Sequence, residues 1–391
     1  MASLDLRTRT DDIGFVDIGT FLSAIAPPAL ARHGALASDA MRATGLESIT
    51  IVVDGSAMTW LLDDDGHLVI LPEDTGRARA ELTSDWFSAI VNDTRSAVAV
   101  MVSGDEVMTR GRITHLIDWE LVLRALLDGR PAHRDGLVTF VDRDGTALDL
   151  DRRFTLDDDP AELAHFLTEA GFAHVTGVVS AEDLAILDRA LTARRAKADR
   201  SDHTTWWART SAGDGEVCVR LNDLADDVLP VALGTETAPI ATAIGCGHEF
   251  DHIDVLLKPV GVIEGVSDLP WHKDCSLGLH SHQCARIVTG VSITASGPDN
   301  GQLGVVAGSH RVNLGQFILP EDLDLPVVWI ATEPGDVTVH LSCTLHSSTP
   351  PLHSERRVAY VTWRLPGDSR RLDDVVRSVR DQAGRDTFAP D

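Results

Sequence analysis

The chain has 391 residues, with 60 acidic against 34 basic side chains and a formal charge of −26. That balance disfavours nucleic acid and anionic membrane surfaces as partners, since both reward basic patches; the length leaves room for two domains with proper cores. The five cysteines are scattered, with none before residue 218, which argues against a disulfide framework and for a reducing compartment.

The first residues, Met1 to Asp12, lack the apolar stretch of a signal peptide. No apolar run is long enough to span a bilayer. A soluble, cytoplasmic protein is the expectation. Residues 46 to 82 read as short strands separated by turns: Glu47–Val53, Ala57–Leu62 after Asp54-Gly55, and Leu68–Leu71 after Asp63–Gly66. Thr83-Ser84-Asp85 predicts the cap of a helix carrying Trp86, Phe87, Ile90 and Val91. A strand near Glu106–Arg112 and an amphipathic helix over Ile117–Leu127, stopped by Gly129 and Pro131, complete this first half. Residues 136–154 read as a connecting hairpin or linker, with Asp142-Arg143-Asp144-Gly145 as its turn. The boundary falls there, ahead of the solvated stretch Asp157-Asp158-Asp159-Pro160.

Beyond residue 245 the chain turns β-rich, with candidate strands Ile253–Leu257, Ile287–Thr294, Val327–Ile330, Val337–Leu341 and Val358–Trp363. Short strands broken by Gly and Pro indicate a sandwich or jelly roll. Nine of the sixteen histidines lie in this part. The expected fold class is α+β, with a small α/β domain over 1–135 and a β-rich domain with flanking helices over 155–391. No internal repeat is present, which excludes a solenoid.

The chemistry concentrates in Trp271-His272-Lys273-Asp274, followed some seventy residues later by His346-Ser347-Ser348 and by Arg356-Arg357. In an extended segment His272 and Asp274 project to the same side and can share one metal. Two imidazoles and one carboxylate suit non-haem Fe(II) and leave further positions open. An arginine grips a carboxylate through two parallel hydrogen bonds, which a lysine cannot reproduce. Arg357, beside Arg356, faces the other way on a strand, and His340, six residues before His346, is an alternative ligand. Each residue alone is more often an ordinary core or surface group; the ordered set is what favours a metal site.

Other groups weigh less. Cys246-Gly247-His248 with His252, and His280-Ser281-His282-Gln283-Cys284, resemble fragments of a zinc site but lack the paired spacings, and no Cys-x-x-Cys occurs. There is no nucleophile elbow, no phosphate-cradling glycine loop and no His-Glu-x-x-His. Hydrolase, nucleotide-binding and metalloprotease readings have no support. Trp206-Trp207-Ala208-Arg209 and Arg220 are candidates for a pocket wall or lid, with ordinary packing as the competing reading.

The part from about residue 155 onward resembles the phytanoyl-CoA dioxygenase family of Fe(II)/2-oxoglutarate enzymes. The resemblance rests on Phe166–Phe172 with Val175-Thr176-Gly177, Leu256-Leu257-Lys258-Pro259, the Trp-His-Lys-Asp motif, and Asn300-Gly301-Gln302-Leu303 with Ala307-Gly308-Ser309-His310. Gly335-Asp336 and His346-x-Ser348 with Arg356-Arg357 complete it, six pieces in order. It implies a double-stranded β-helix (jelly-roll, cupin-like) with His272, Asp274 and His346 as iron ligands. It further implies Arg356, Ser348 and Lys258 as contacts of the 2-oxoglutarate cosubstrate. Residues 35 to 130 resemble a sterol-carrier-protein-2-like (SCP2-like) domain through Glu81–Phe87 and Val102–Gly111, which implies a lipid- or substrate-binding or accessory role.

The expected activity is oxidation, chiefly hydroxylation, of a C–H bond in a hydrophobic small molecule, with O₂ consumed and succinate and CO₂ released. A lipid, steroid, polyketide or acyl thioester is the expected substrate class. Two rivals stand beside it. One is a lipid or acyl carrier with an inactive oxygenase half; the other is a cupin-like enzyme using another metal without 2-oxoglutarate. A small first domain used for homo-oligomerisation also stays open.

Overall fold

The computed structural model describes residues 14–200, 205–211, 213, 215–222, 237–243, 247–264, 270–274, 286–315 and 318–364. The Cys246 and His280–Cys284 positions therefore lie outside the described residues.

The first half opens with α1 (Ile18–Thr20), a π-turn over Phe21–Ile25, and α2 (Ala26–Thr44), which ends where Gly45 takes a left-handed φ of 67°. The sequence reading did not anticipate α2. Three strands follow where expected: β1 (Ser48–Val53), β2 (Ser56–Leu62) and β3 (Leu68–Leu71). Asp54 and Gly55 both have positive φ, 49° and 78°, as the tight turn between β1 and β2 requires. An unanticipated strand, β4 (Ala78–Leu82), pairs in parallel with β1, and β5 (Met108–Arg110) completes a five-stranded sheet in the order β3-β2-β1-β4-β5. Thr83 caps α3 (Ser84–Val91) by accepting from the Trp86 amide. Ser96 caps α4 (Ala97–Ser103), and α5 (Ile113–Asp128) stops at Gly129, φ 67°. Phe21, Trp60, Phe87 and Trp119 are fully buried and meet ring to ring at 5.7–5.9 Å, filling the space between sheet and helices.

In the connector the expected turn forms: Asp142 N bonds Thr146 O and Gly145 N bonds Asp142 O. The hairpin around it is reduced to a single bridge, Val141 with Ala147. The segment lies against the β-rich half, with Gly136 N donating to Asp324 Oδ2 at 2.6 Å and Arg311 Nη1 to Thr139 O at 2.8 Å, while the two halves meet where Asn313 Nδ2 donates to Leu121 O at 2.9 Å.

The second half begins with α6 (Pro160–Ala170), β6 (Phe172–Val175) and α7 (Ala181–Arg195). Strands β7 (Thr205–Thr210), β8 (Glu216–Leu221), β9 (Glu249–Lys258), β10 (Val262–Glu264), β11 (Ile287–Ser292), β12 (Leu303–Val306), β13 (Val327–Ile330), β14 (Val337–Leu341), β15 (His346–Ser348) and β16 (Arg356–Arg364) follow. They form an eight-stranded sheet, β10-β7-β8-β9-β16-β11-β14-β6, and a three-stranded sheet, β13-β12-β15. This is a mixed α/β chain with two sheets in its β-rich half.

Alternation along the large sheet divides its faces. Ile253, Val255 and Leu257 of β9, Ala359, Val361 and Trp363 of β16, and Val337, Val339 and Leu341 of β14 join one core with Leu163, Phe166, Leu184, Leu187 and Leu191 of α6 and α7. The opposite face carries Asp254 and Lys258, Arg356 and Tyr360, and Thr338 and His340. A helix-covered apolar face and a polar inner face turned to the small sheet are what position the site.

Candidate metal centre

His272 and His346 are brought together by backbone pairing. The two residues form an antiparallel bridge, His272 N to His346 O at 3.0 Å and His346 N to His272 O at 2.9 Å. Their rings lie 4.4 Å apart. Each Nδ1 meets a carbonyl two residues earlier, that of Pro270 at 2.7 Å and that of Thr344 at 2.9 Å. A ring that donates from Nδ1 keeps its Nε2 lone pair free, which is the tautomer a metal needs. Both Nε2 atoms face the same oxygen: Asp274 Oδ1 is 3.5 Å from His272 and 3.7 Å from His346. Ligand atoms of these three side chains lie within 4.8 Å of one another.

The electrostatics favour the ligand forms. Burial first, then the neighbouring His272, pushes the His346 imidazole down to about 3, so it is neutral at physiological pH. Desolvation works against ionisation of Asp274, but the imidazoles of His346, His272 and His340 outweigh it and hold the carboxyl well below its usual range. Two imidazoles and one carboxylate converging on a point fit a divalent iron.

Sequence reasoning left His340 as an alternative ligand; its place is behind the carboxylate. His340 Nε2 is 3.4 Å from Asp274 Oδ2, and its ring is 4.4 Å from that of His346. It sits on the inner face of β14 and is buried. The loop Ala307–His310, whose part the sequence did not disclose, supports both ligand segments. Ser309 Oγ accepts from the Leu345 amide at 2.8 Å, and Ser309 O accepts from Lys273 Nζ at 3.1 Å. Lys273 points away from its neighbours His272 and Asp274, as strand alternation demands, and its anchor fixes their outward side. Gly335-Asp336 is structural: Asp336 accepts from Gly177 N at 3.0 Å and lies 3.0 Å from His174 Nε2, tying β14 to β6.

The cosubstrate candidates lie together on the inner face. Lys258 and Arg356 stand opposite each other across β9 and β16. Lys258 Nζ donates to Ser348 Oγ at 2.8 Å, Ser348 O at 3.2 Å and Thr349 O at 3.0 Å, joining the two sheets. The Arg356 side chain is buried, and its Nη1 has no hydrogen-bond partner among the described residues. A buried guanidinium nitrogen without an acceptor is costly, and a carboxylate is the acceptor that suits it. Arg357 is turned the other way, to Glu355 at 2.8 Å and Asp188 at 2.7 Å. Gly301, at φ 72°, lies over the Arg356 stem, where an added Cβ would stand 2.7 Å from Cδ.

The lid candidates separate. Trp206 pairs with Arg220, which pairs with Leu256; these belong to the Lys258 face, and Arg220 Nη2 bonds Asp254 at 2.8 Å. Trp207 instead packs on the helix-covered core. Of the zinc-like fragments, His252 lies by Asp251 at 2.9 Å.

Residues 167–359 match the sequence model of phytanoyl-CoA dioxygenase (PhyH). No curated protein matches the chain. Among solved structures, AviO1 from Streptomyces viridochromogenes Tue57 is 24% identical, covering 53% of this chain and 96% of its own at a TM-score of 0.42. EctD from S. alaskensis with bound Fe is 20% identical, covering 54% and 78% at 0.45. The non-heme alpha ketoglutarate dependent carbocyclase SnoK from nogalamycin biosynthesis is 19% identical, covering 55% and 87% at 0.42. The family match and the converging ligand set support an enzyme with iron and 2-oxoglutarate as its cofactor and cosubstrate.

Proposed function

We propose that this Fe(II)/2-oxoglutarate-dependent dioxygenase oxidises a C–H bond of a hydrophobic small molecule, with His272, Asp274 and His346 as the iron ligands. The observation that carries the assignment is the convergence of both Nε2 atoms on Asp274 Oδ1, with each Nδ1 fixed by a backbone carbonyl. Iron held there supplies O₂ activation at the expense of 2-oxoglutarate, giving succinate, CO₂ and a hydroxylated or otherwise oxidised product. Arg356 takes the distal carboxylate of 2-oxoglutarate through its unpartnered Nη1. Lys258 and Ser348, hydrogen-bonded to each other, complete that end of the pocket. Burial of Arg356 and Lys258 strengthens both contacts by excluding water.

The substrate lies against the rest of the inner face, where Trp206 and Leu256 offer apolar surface beside the Arg220–Asp254 pair. A lipid, steroid, polyketide or acyl thioester with one polar group fits that mixture. The first half is proposed as an SCP2-like accessory domain rather than a carrier, because Trp60, Trp119, Phe21 and Phe87 occupy the space between its sheet and helices.

Anaerobic addition of Fe(II) and 2-oxoglutarate tests the assignment. A weak visible charge-transfer band is expected, together with succinate release stimulated by one member of a lipid and thioester library. His272→Ala and Asp274→Ala remove both signals. Full turnover in either variant, or no band at full iron loading of the native chain, overturns the reading.

A further inference from the structure

Outside the catalytic half's ligand set, a second group of side chains able to bind a metal converges where the segment after α5 meets the β-rich half. His133 and Asp135 come from that segment, and Asp324 from the loop ahead of β13. Their ligand atoms all lie within 4.8 Å of one another. His133 is enclosed, its side chain 8% exposed, while Asp324 is 35% exposed. Among the described residues neither ring nitrogen of His133 makes a hydrogen bond, although Asp324 Oδ1 is only 2.9 Å from Nε2. The carboxylate oxygen is therefore close to the nitrogen but off the line along which an N–H would point.

That combination has a simple chemical explanation. A buried imidazole left without hydrogen bonds is unfavourable, and a cation accepting its lone pair removes the deficit. Two ligand atoms bound at about 2.1 Å and meeting at the tetrahedral angle stand about 3.4 Å apart, so the 2.9 Å between His133 Nε2 and Asp324 Oδ1 opens by about 0.5 Å when the ion enters. The backbone is already held for it. His133 N bonds Asn313 O at 3.2 Å, Asn313 N bonds Pro131 O at 3.2 Å, and Gly136 N bonds Asp324 Oδ2 at 2.6 Å. The last bond occupies Oδ2 and leaves Oδ1 for the ion.

We propose that His133, Asp135 and Asp324 bind a second divalent ion, zinc, which clips the segment after α5 to the β-rich half. An imidazole with two carboxylates suits zinc, with water in the remaining position, and is a poor match for calcium or magnesium, which take oxygen ligands. The site shares no residue with the iron ligands, so it holds its ion whatever becomes of the oxygenase assignment.

Zinc retention by the full-length chain is the test, in a His272→Ala background so that the other ligand set does not report. About one equivalent of Zn²⁺ per chain should survive desalting. The added changes H133A and D135N should each weaken retention by tenfold or more, as measured against a chromophoric chelator. D135N serves as the second variant because it alters one exposed ligand and leaves the Asp324 bond to Gly136 in place. In the iron-loaded native chain, zinc should also raise the unfolding midpoint, and D135N should abolish that rise without altering succinate release. No retained zinc in the His272→Ala chain, or equal retention with and without H133A and D135N, overturns the proposal.

Discussion

Arg356 and Arg357 are adjacent and chemically identical, yet strand alternation gives them unrelated surroundings. Arg356 is enclosed, its Nη1 without a partner among the described residues, and Arg357 is spent on Glu355 and Asp188. Arg356→Lys should raise the 2-oxoglutarate KM by about 10–100-fold, the worth of one charge-assisted hydrogen bond, with iron affinity unchanged. Arg357→Ala should leave KM alone and alter stability by only about 0–1 kcal/mol, as for other partly exposed ion pairs. Steady-state kinetics in 2-oxoglutarate separates the two, and an equal KM rise in both variants would sink the assignment. His340 invites a different comparison, since it touches the carboxylate without joining the ligand set. His340→Leu should weaken iron affinity by roughly 10–100-fold, in line with other groups that orient a metal ligand. His340→Gln, which keeps a donor, should recover much of it. Iron titrations giving the same affinity for all three proteins would leave His340 as packing alone.

At the level of elements, two short loops do what the strands cannot. The Asn300-Gly301 turn covers the Arg356 stem at a φ of 72° that side chains rarely adopt. Gly301→Ala is expected to displace that stem and raise the 2-oxoglutarate KM while iron binding stays intact. An unchanged KM would mean that the turn yields without moving the arginine. The same comparison explains what the sequence disclosed. Strands such as β1, β2, β9 and β16 were legible because one face is apolar and Asp54-Gly55, Pro259 or Pro350-Pro351 breaks the chain beside them. The candidate site was legible because His272 and Asp274 share an alternation and His346 follows with its serine, three residues that the structure brings within 4.8 Å of one another. By contrast β4, with Arg79 and Glu81 on it, has a composition of no particular structural preference and exists through its parallel pairing to β1. The lines of β7 and β8 were hidden because Trp206 and Arg220 lie on the polar face of the sheet rather than its apolar core. Ser309 was visible only as part of the Ala307–His310 motif and its role could not be read, since its contacts to Leu345 and Lys273 span 36 residues in each direction.

Across the whole molecule, the two halves solve opposite electrostatic problems. The β-rich half gathers its charges where small molecules and an ion can meet them. The first half encloses a charge cluster with no opening in its role. Glu120 and Arg124 stand one turn apart on α5, both fully enclosed, with Asp93 and Asp128 beside the guanidinium at 3.9 and 3.5 Å. Burial, and then the like charge of Asp93, pushes the Glu120 carboxyl up to about 8, against 4.5 when unfolded. Glu120 is thus protonated in the native protein at neutral pH, while the unfolded chain releases that proton. The native state then binds more protons between pH 4.5 and 8, so stability falls with rising pH across that window. The contribution of Glu120 is fully present below pH 4.5 and is lost as pH climbs through about 8. The slope has an upper limit of about 1.4 kcal/mol per pH unit. Glu120→Gln keeps an oxygen for the Ala97 amide that Glu120 now accepts at 3.0 Å and has nothing to titrate. Melting curves of both proteins from pH 5 to pH 8 should therefore converge on the variant's favour as pH rises, its midpoint declining less steeply than that of the native chain. Parallel declines would show that Glu120 is ionised inside the fold and that Arg124 has compensated it in full.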